Sequence, residues 1–195
     1  MPRRLPLVSS ASVLLAAGVL LAGCAVPEQA ATPSGGASTP SSSPSASSTP
    51  SAPPSSSAAT PVDIPCGTLI AQQAMYDFNP NFSLLSSWTP DAGSAAAQAV
   101  AASGVACRWK NDTSGDTIDV SVAAPDSATL EKLKTAAAAG TSADYGVGTG
   151  SFAVVGGAGE ATVFDGSYWV VVRSNYFLAP GDASPLVTPV LAALG

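Results

Sequence analysis

Three thiols are the strongest nucleophiles in this 195-residue chain, at Cys24, Cys66 and Cys107, and there is no histidine to activate any of them. The missing imidazole removes the commonest general base, the usual zinc ligand and every Ser-His or Cys-His arrangement. Neither S-x-x-K nor G-x-S-x-G spacing occurs, so serine chemistry lacks both its lysine-assisted and its elbow form. Carboxylates alone remain for acid–base work. Glu131, Glu160, Asp165 and Asp144 are the candidates for a glycan hydrolase, but no two acids are obviously paired for it. We assign no catalytic residue, no metal ligand and no cofactor.

Cys24 closes the run Leu21-Ala22-Gly23-Cys24, which resembles the lipobox of bacterial lipoproteins. The resemblance implies cleavage after Gly23 and lipidation of the Cys24 thiol. Residues upstream read as a secretory leader, with Arg3 and Arg4 supplying positive charge and Val13 to Ala22 the apolar stretch. Ten such residues span roughly 15 Å as a helix, about half a bilayer's hydrocarbon core, so they do not make a membrane span. A general secretory leader with an incidental cysteine is the alternative. The expected address is the extracytoplasmic face of the cell membrane, held by a lipid anchor.

Residues 25–61 are Ala, Ser, Thr, Pro or Gly except at Val26, Glu28 and Gln29. Such a stretch has almost nothing to bury and cannot offset the entropy of ordering, so a disordered linker is expected from Cys24 to residue 61. The expected organisation is a leader over 1–23, the lipidated cysteine and linker over 24–61, and one globular domain over 62–195. That domain carries twelve acids against Arg108, Lys110, Lys132, Lys134 and Arg173, a net of −7. The balance argues against nucleic acid and against close contact with an anionic lipid surface. With Cys24 lipidated, Cys66 and Cys107 form an even pair in an exported chain, which points to a disulfide; two free buried thiols are the alternative.

The elements that hold these groups follow from pattern. Leu69, Ile70, Ala74 and Met75 share a helical face, ended by Asn79-Pro80-Asn81. The stretch through Trp88-Thr89-Pro90 reads as loop, and Asp91 as the cap of an Ala-rich helix from Ser94 to Ser103. Val105, Cys107 and Trp109 alternate with Ala106, Arg108 and Lys110, and Ile118, Val120 and Val122 alternate with Thr117, Asp119 and Ser121. That is an antiparallel hairpin, expected to have one wet face. A helix starts at Pro125-Asp126-Ser127 with Leu130, Leu133 and Ala137 inward and stops at Gly140. Phe152 to Val155 can form a short strand within a Gly-rich stretch. Asp165-Gly166 reads as a two-residue turn joining Glu160–Phe164 to the doubly apolar central strand Tyr168–Val172. Ser184 is the expected cap of a last helix, Pro185 to Leu194.

Weaker constellations have plainer explanations. Asp112, Asp116 and Asp119 could offer oxygens to calcium, but lack EF-loop spacing and fit a solvated turn. Gly146-Val147-Gly148-Thr149-Gly150 lacks a P-loop lysine and reads as flexible linker. Arg173, at the end of the central strand, either holds an anionic ligand at a sheet edge or pairs with Asp165, Glu160 or Asp182. With Trp88 and Tyr168 it makes the candidate ligand contacts, beside an apolar cleft expected along Tyr168–Val172. Trp88, Tyr76 and Tyr145 sit in loops or helix ends, where aromatics can line clefts, but with aromatics only 6% of the chain the core reading is preferred for them.

Pro65-Cys66-x-x-Leu69-Ile70, then Gly104-Val105-Ala106-Cys107-Arg108-Trp109, resembles a broad group of actinobacterial secreted lipoproteins, often labelled DUF3558-like. The resemblance implies an α+β domain with Cys66 bridged to Cys107, and no established activity; the Gly146–Gly159 stretch departs from the group's pattern. The expected fold is a single α+β domain, a mainly antiparallel twisted sheet of about five strands with three to four helices. The expected function is binding of a ligand or an envelope protein partner. A carboxylate hydrolase, or a structural subunit of an envelope complex, is the alternative.

Overall fold

The two alternating runs after Gly104 form β2 (Val105–Asn111) and β3 (Thr117–Ala123), paired antiparallel with Cys107 opposite Val120 and Trp109 opposite Ile118. This is a computed structural model describing residues 58–195. The leader, Cys24 and the linker as far as residue 57 lie outside the described residues. The chain joins the sheet at Thr60, whose N–H donates to the Ala124 carbonyl at 2.8 Å.

Around that hairpin the order is α1 (Cys66–Leu69), α2 (Gln72–Phe78), β1 (Phe82–Leu84) and α3 (Ala95–Ala101) before it. After it come α4 (Ser127–Ala137), β4 (Thr141–Ala143), β5 (Thr149–Val155), β6 (Ala158–Asp165), β7 (Tyr168–Ser174) and α5 (Pro180–Leu194). One antiparallel sheet runs β1-β2-β3-β7-β6-β5-β4. The fold is α+β as expected, with seven strands instead of about five and five helices instead of three to four among the described residues. The two extra strands are the three-residue edges β1 and β4, too short to leave a period-two signature. The extra helix arises because Ile70 turns extended (φ −131°) and splits the first helical segment into α1 and α2, burying Leu69 and Ile70 side by side.

β7 is central and apolar on both faces because both are covered. On one face α1, α2 and α5 pack Leu69, Met75, Leu186 and Val190 against Ile118, Val120, Val170 and Val172. On the other, Ala99 of α3 and Leu130 of α4 pack against Ala123, Phe164, Trp169 and Val171. The expected wet face of the hairpin is therefore corrected on β3, where Asp119 and Ser121 are buried with the rest of Ile118–Ala123. Small side chains on α3 let it lie close to the strand.

Turns and caps shift in three places. The β6–β7 loop is Gly166-Ser167, since Asp165 pairs with Tyr168, and only Gly166 takes positive φ (55°), the pattern of a turn needing glycine first. The β5–β6 loop is Gly156-Gly157 with φ 59° and 81°, a turn requiring positive φ twice; of the five residues read as linker, Thr149 and Gly150 open β5 while 146–148 are irregular. Ser94, not Asp91, caps α3 by accepting from the Ala97 N–H at 3.1 Å. α5 starts five residues before Pro185; Asp182, not Ser184, accepts from the N–H groups of Leu178 and Ala179 at 2.8 and 2.9 Å. Asp126 caps α4 as expected, accepting from the N–H of Thr129 at 2.9 Å.

Candidate functional site: a groove beside the edge strand

Cys66 and Cys107 form a disulfide with Cα atoms 5.6 Å apart, fastening α1 to β2 on the face that Trp109 shares. α2 follows within three residues and is stopped by Asn79-Pro80, and the Asn79 side chain accepts from the Asn81 N–H at 3.0 Å. That turn returns the chain as β1 alongside β2, with Phe82 opposite Asn111 and Leu84 opposite Trp109. The short elements leave space between them: a cavity of about 490 Å³, walled by Gly67, Ile70, Gln72 and Met75 on the helical side and by Phe82, Ser83 and Leu84 on the strand side, with Trp109 between. Its size lies in the range of small-ligand and peptide sites. The lining is mixed, apolar side chains sharing it almost evenly with polar surface that includes the Gln72 amide and the Ser83 hydroxyl; Ser83 donates to Asp112 at 2.6 Å.

A second cavity of about 360 Å³ lies between the end of α4 and strands β4 and β5. Phe164, Ala137 and Gly140 give it apolar walls, and Lys134, Ser142, Thr149 and Ser151 give it polar ones. Lys134 is already paired with Glu131 at 2.8 Å. Neither cavity is lined by residues 168–172, along which an apolar cleft was expected.

Charged residues line up across the opposite face of the sheet. Arg108, Asp119, Arg173 and Glu160 are successive register partners on β2, β3, β7 and β6, an alternating row of cation and anion. Arg108 donates to both Asp119 oxygens, at 2.6 and 2.7 Å, and lies 3.9 Å from the Trp88 ring centroid. The hydrogen bonds that Arg108 donates to Asp119 hold its guanidinium above its ordinary pKa despite burial. Arg173 is 3.7 Å from Glu160 and donates to the Val155 carbonyl at 3.1 Å. Burial raises the Glu160 carboxyl above its usual value, only partly opposed by Arg173.

Of the expected ligand contacts, Arg173 and Trp88 therefore share one face, joined through Arg108 and Asp119, while Tyr168 packs against the core on the other. Arg173 lies on the central strand, not at a sheet edge, and takes the ion-pair alternative. The three acids weighed for calcium go to different partners: Asp112 to Ser83, Asp116 to Ser114 and Asn175, Asp119 to Arg108. Among the described residues, no cluster of three or more His, Cys, Asp or Glu could hold a metal, and no helix is long and apolar enough to cross a membrane. The groove residues Phe82, Ser83 and Leu84 had no sequence signal beyond following a helix stop. Comparison with protein-family models, with curated proteins and with solved structures finds no match.

Proposed function

We propose that this is an extracytoplasmic protein held to the cell membrane by lipid on Cys24, whose domain binds a ligand or protein partner in the groove between α1–α2 and β1. The groove carries the reading: a cavity of about 490 Å³ that sets the apolar side chains of Ile70, Met75, Phe82 and Trp109 beside nearly as much polar surface, open where Leu84 is 42% exposed. Gly67 faces it with open space where a side chain would stand. Binding asks only for such a surface, whereas catalysis without histidine asks for carboxylates moved toward neutrality by burial or charge.

A carboxylate hydrolase is the second reading, supported by Glu160, whose burial raises its pKa in the direction a general acid needs. Its near charged neighbour is Arg173, and it lines neither cavity. Native mass spectrometry of the protein purified from its own cells tests the choice. A co-purifying mass that is lost in Gly67→Trp supports groove binding. Hydrolysis of a wall glycan abolished by Glu160→Gln, with binding unchanged in Gly67→Trp, supports the enzyme.

A further inference from the structure

β1 is an edge strand with half of its backbone turned outward. The Leu85 N–H donates to the Arg108 carbonyl and the Asp112 N–H to the Asn81 carbonyl, both at 2.9 Å. With Ser83 opposite Lys110, residues 81, 83 and 85 face β2, so Phe82 and Leu84 direct their peptide groups away from it. The Phe82 N–H is taken by the Asn79 carbonyl at 3.3 Å. The register turns the Phe82 carbonyl and the N–H and carbonyl of Leu84 outward from β2. They lie along the rim of the groove that Phe82 and Leu84 wall.

We propose that the groove takes an extended polypeptide segment as an added strand beside β1, with apolar side chains at alternate positions entering the cavity and basic residues at its flanks. The proposal rests on the groove being the binding site. Outward peptide groups on Phe82 and Leu84 are two residues apart, about 7 Å along a strand, and a backbone presents complementary groups at that repeat. A compact apolar ligand could fill the cavity but would leave those groups unused. Charge beside the groove is mixed, since Ser83 is bonded to Asp112 and stands opposite Lys110, and it is the net of −7 over residues 62–195 that disfavours an acidic segment and favours basic flanks. The other incompletely paired edge differs. β4 covers only Gly150–Phe152 of β5, leaving Ala153–Val155 open, but neither cavity is lined by those three residues. Val154 therefore serves as an internal control.

The test uses the full chain labelled with ¹⁵N. The probes are a panel of capped seven-residue peptides alternating Val or Leu with Thr between terminal lysines, and octanoate as an apolar ligand without a backbone. A peptide is expected to shift the signals of Met75 and Trp109 and to slow amide exchange at Leu84 but not at Val154. Leu84→Pro removes the outward N–H while leaving the β1–β2 ladder, and should weaken that peptide about tenfold more than Leu84→Ala does. Equal binding to both variants, or protection at Val154 instead of Leu84, overturns strand addition at β1. Octanoate shifting Met75 and Trp109 while no peptide binds also overturns it, yet leaves the groove as the site. Failure of both probes to perturb the groove overturns the groove reading as well.

Discussion

Arg108 and Asp119 stand opposite each other on β2 and β3 and meet through two hydrogen bonds of 2.6 and 2.7 Å, on a face largely closed to water. Removing Arg108 leaves the Asp119 charge without its partner, and removing Asp119 leaves Arg108 only the longer contact with Asp91 at 3.8 Å. Asp119→Ala should lower unfolding stability by about 3 kcal/mol. A double-mutant cycle with Arg108→Ala should return a coupling of about 2 kcal/mol, measured by urea denaturation. A coupling near zero would mean that water replaces the pair.

The bridge between Cys66 and Cys107 joins residues 41 apart in sequence. Closing a loop of that length constrains the unfolded chain by about 4 kcal/mol. Cys66→Ser with Cys107→Ser should lose a comparable amount. Because the bridge also holds α1 against β2, the double variant should show altered Trp109 fluorescence before global unfolding.

Tyr145 is buried, and its hydroxyl has no hydrogen-bond partner among the described residues. Burial pushes its phenol up to about 12. A raised folded-state value gives stability that is complete below the unfolded value near 10 and is lost as pH climbs toward 12. Tyr145→Phe should abolish that alkaline loss. It should also raise stability at pH 7 by about 1 kcal/mol, since a buried group without a partner is removed. A destabilised variant would show that the hydroxyl has a partner in solution.

In the acid range two carboxylates act in opposite directions. The Thr129 hydroxyl and N–H hold Asp126 below its usual value, so its contribution is present above the ordinary carboxylate range and lost as pH falls through the folded value. Glu160, raised by burial, contributes below its ordinary value and loses that as pH rises through the folded one. Chemical denaturation between pH 3 and 6 should therefore flatten on the acid side in Asp126→Asn and on the neutral side in Glu160→Gln.

The sheet's interior was legible because Cys107, Trp109, Ile118, Val120 and Val122 alternate without interruption, and the doubly apolar run at Tyr168 marked the central strand. The disulfide was expected because reading Cys24 as a lipidated residue of an exported chain leaves Cys66 and Cys107 as a pair. The site was harder to see. β1 exists because β2 offers Lys110 and its neighbours a partner, not because Phe82-Ser83-Leu84 carries a pattern. Ile70 and Met75 looked like ordinary helix-face residues, and only the break at Ile70 turns them into one wall of a cavity. Arg173 had three acids to choose from in the sequence, Asp165, Glu160 and Asp182, and only the β6–β7 register selects Glu160, thirteen residues away. Asp91 and Ser184 were reasonable caps by type, displaced by Ser94 and Asp182, whose side chains reach free N–H groups.

Binding at the groove is tested most directly inside the cell by a photoreactive benzoylphenylalanine at position 84, followed by intact-mass measurement of the illuminated protein. The expected result is one discrete adduct, lost when Gly67→Trp fills the groove and not formed from the same probe on α4 at Lys132, away from the groove. No adduct at position 84, or the same adduct from position 132, would contradict the groove as the place where this domain meets its ligand.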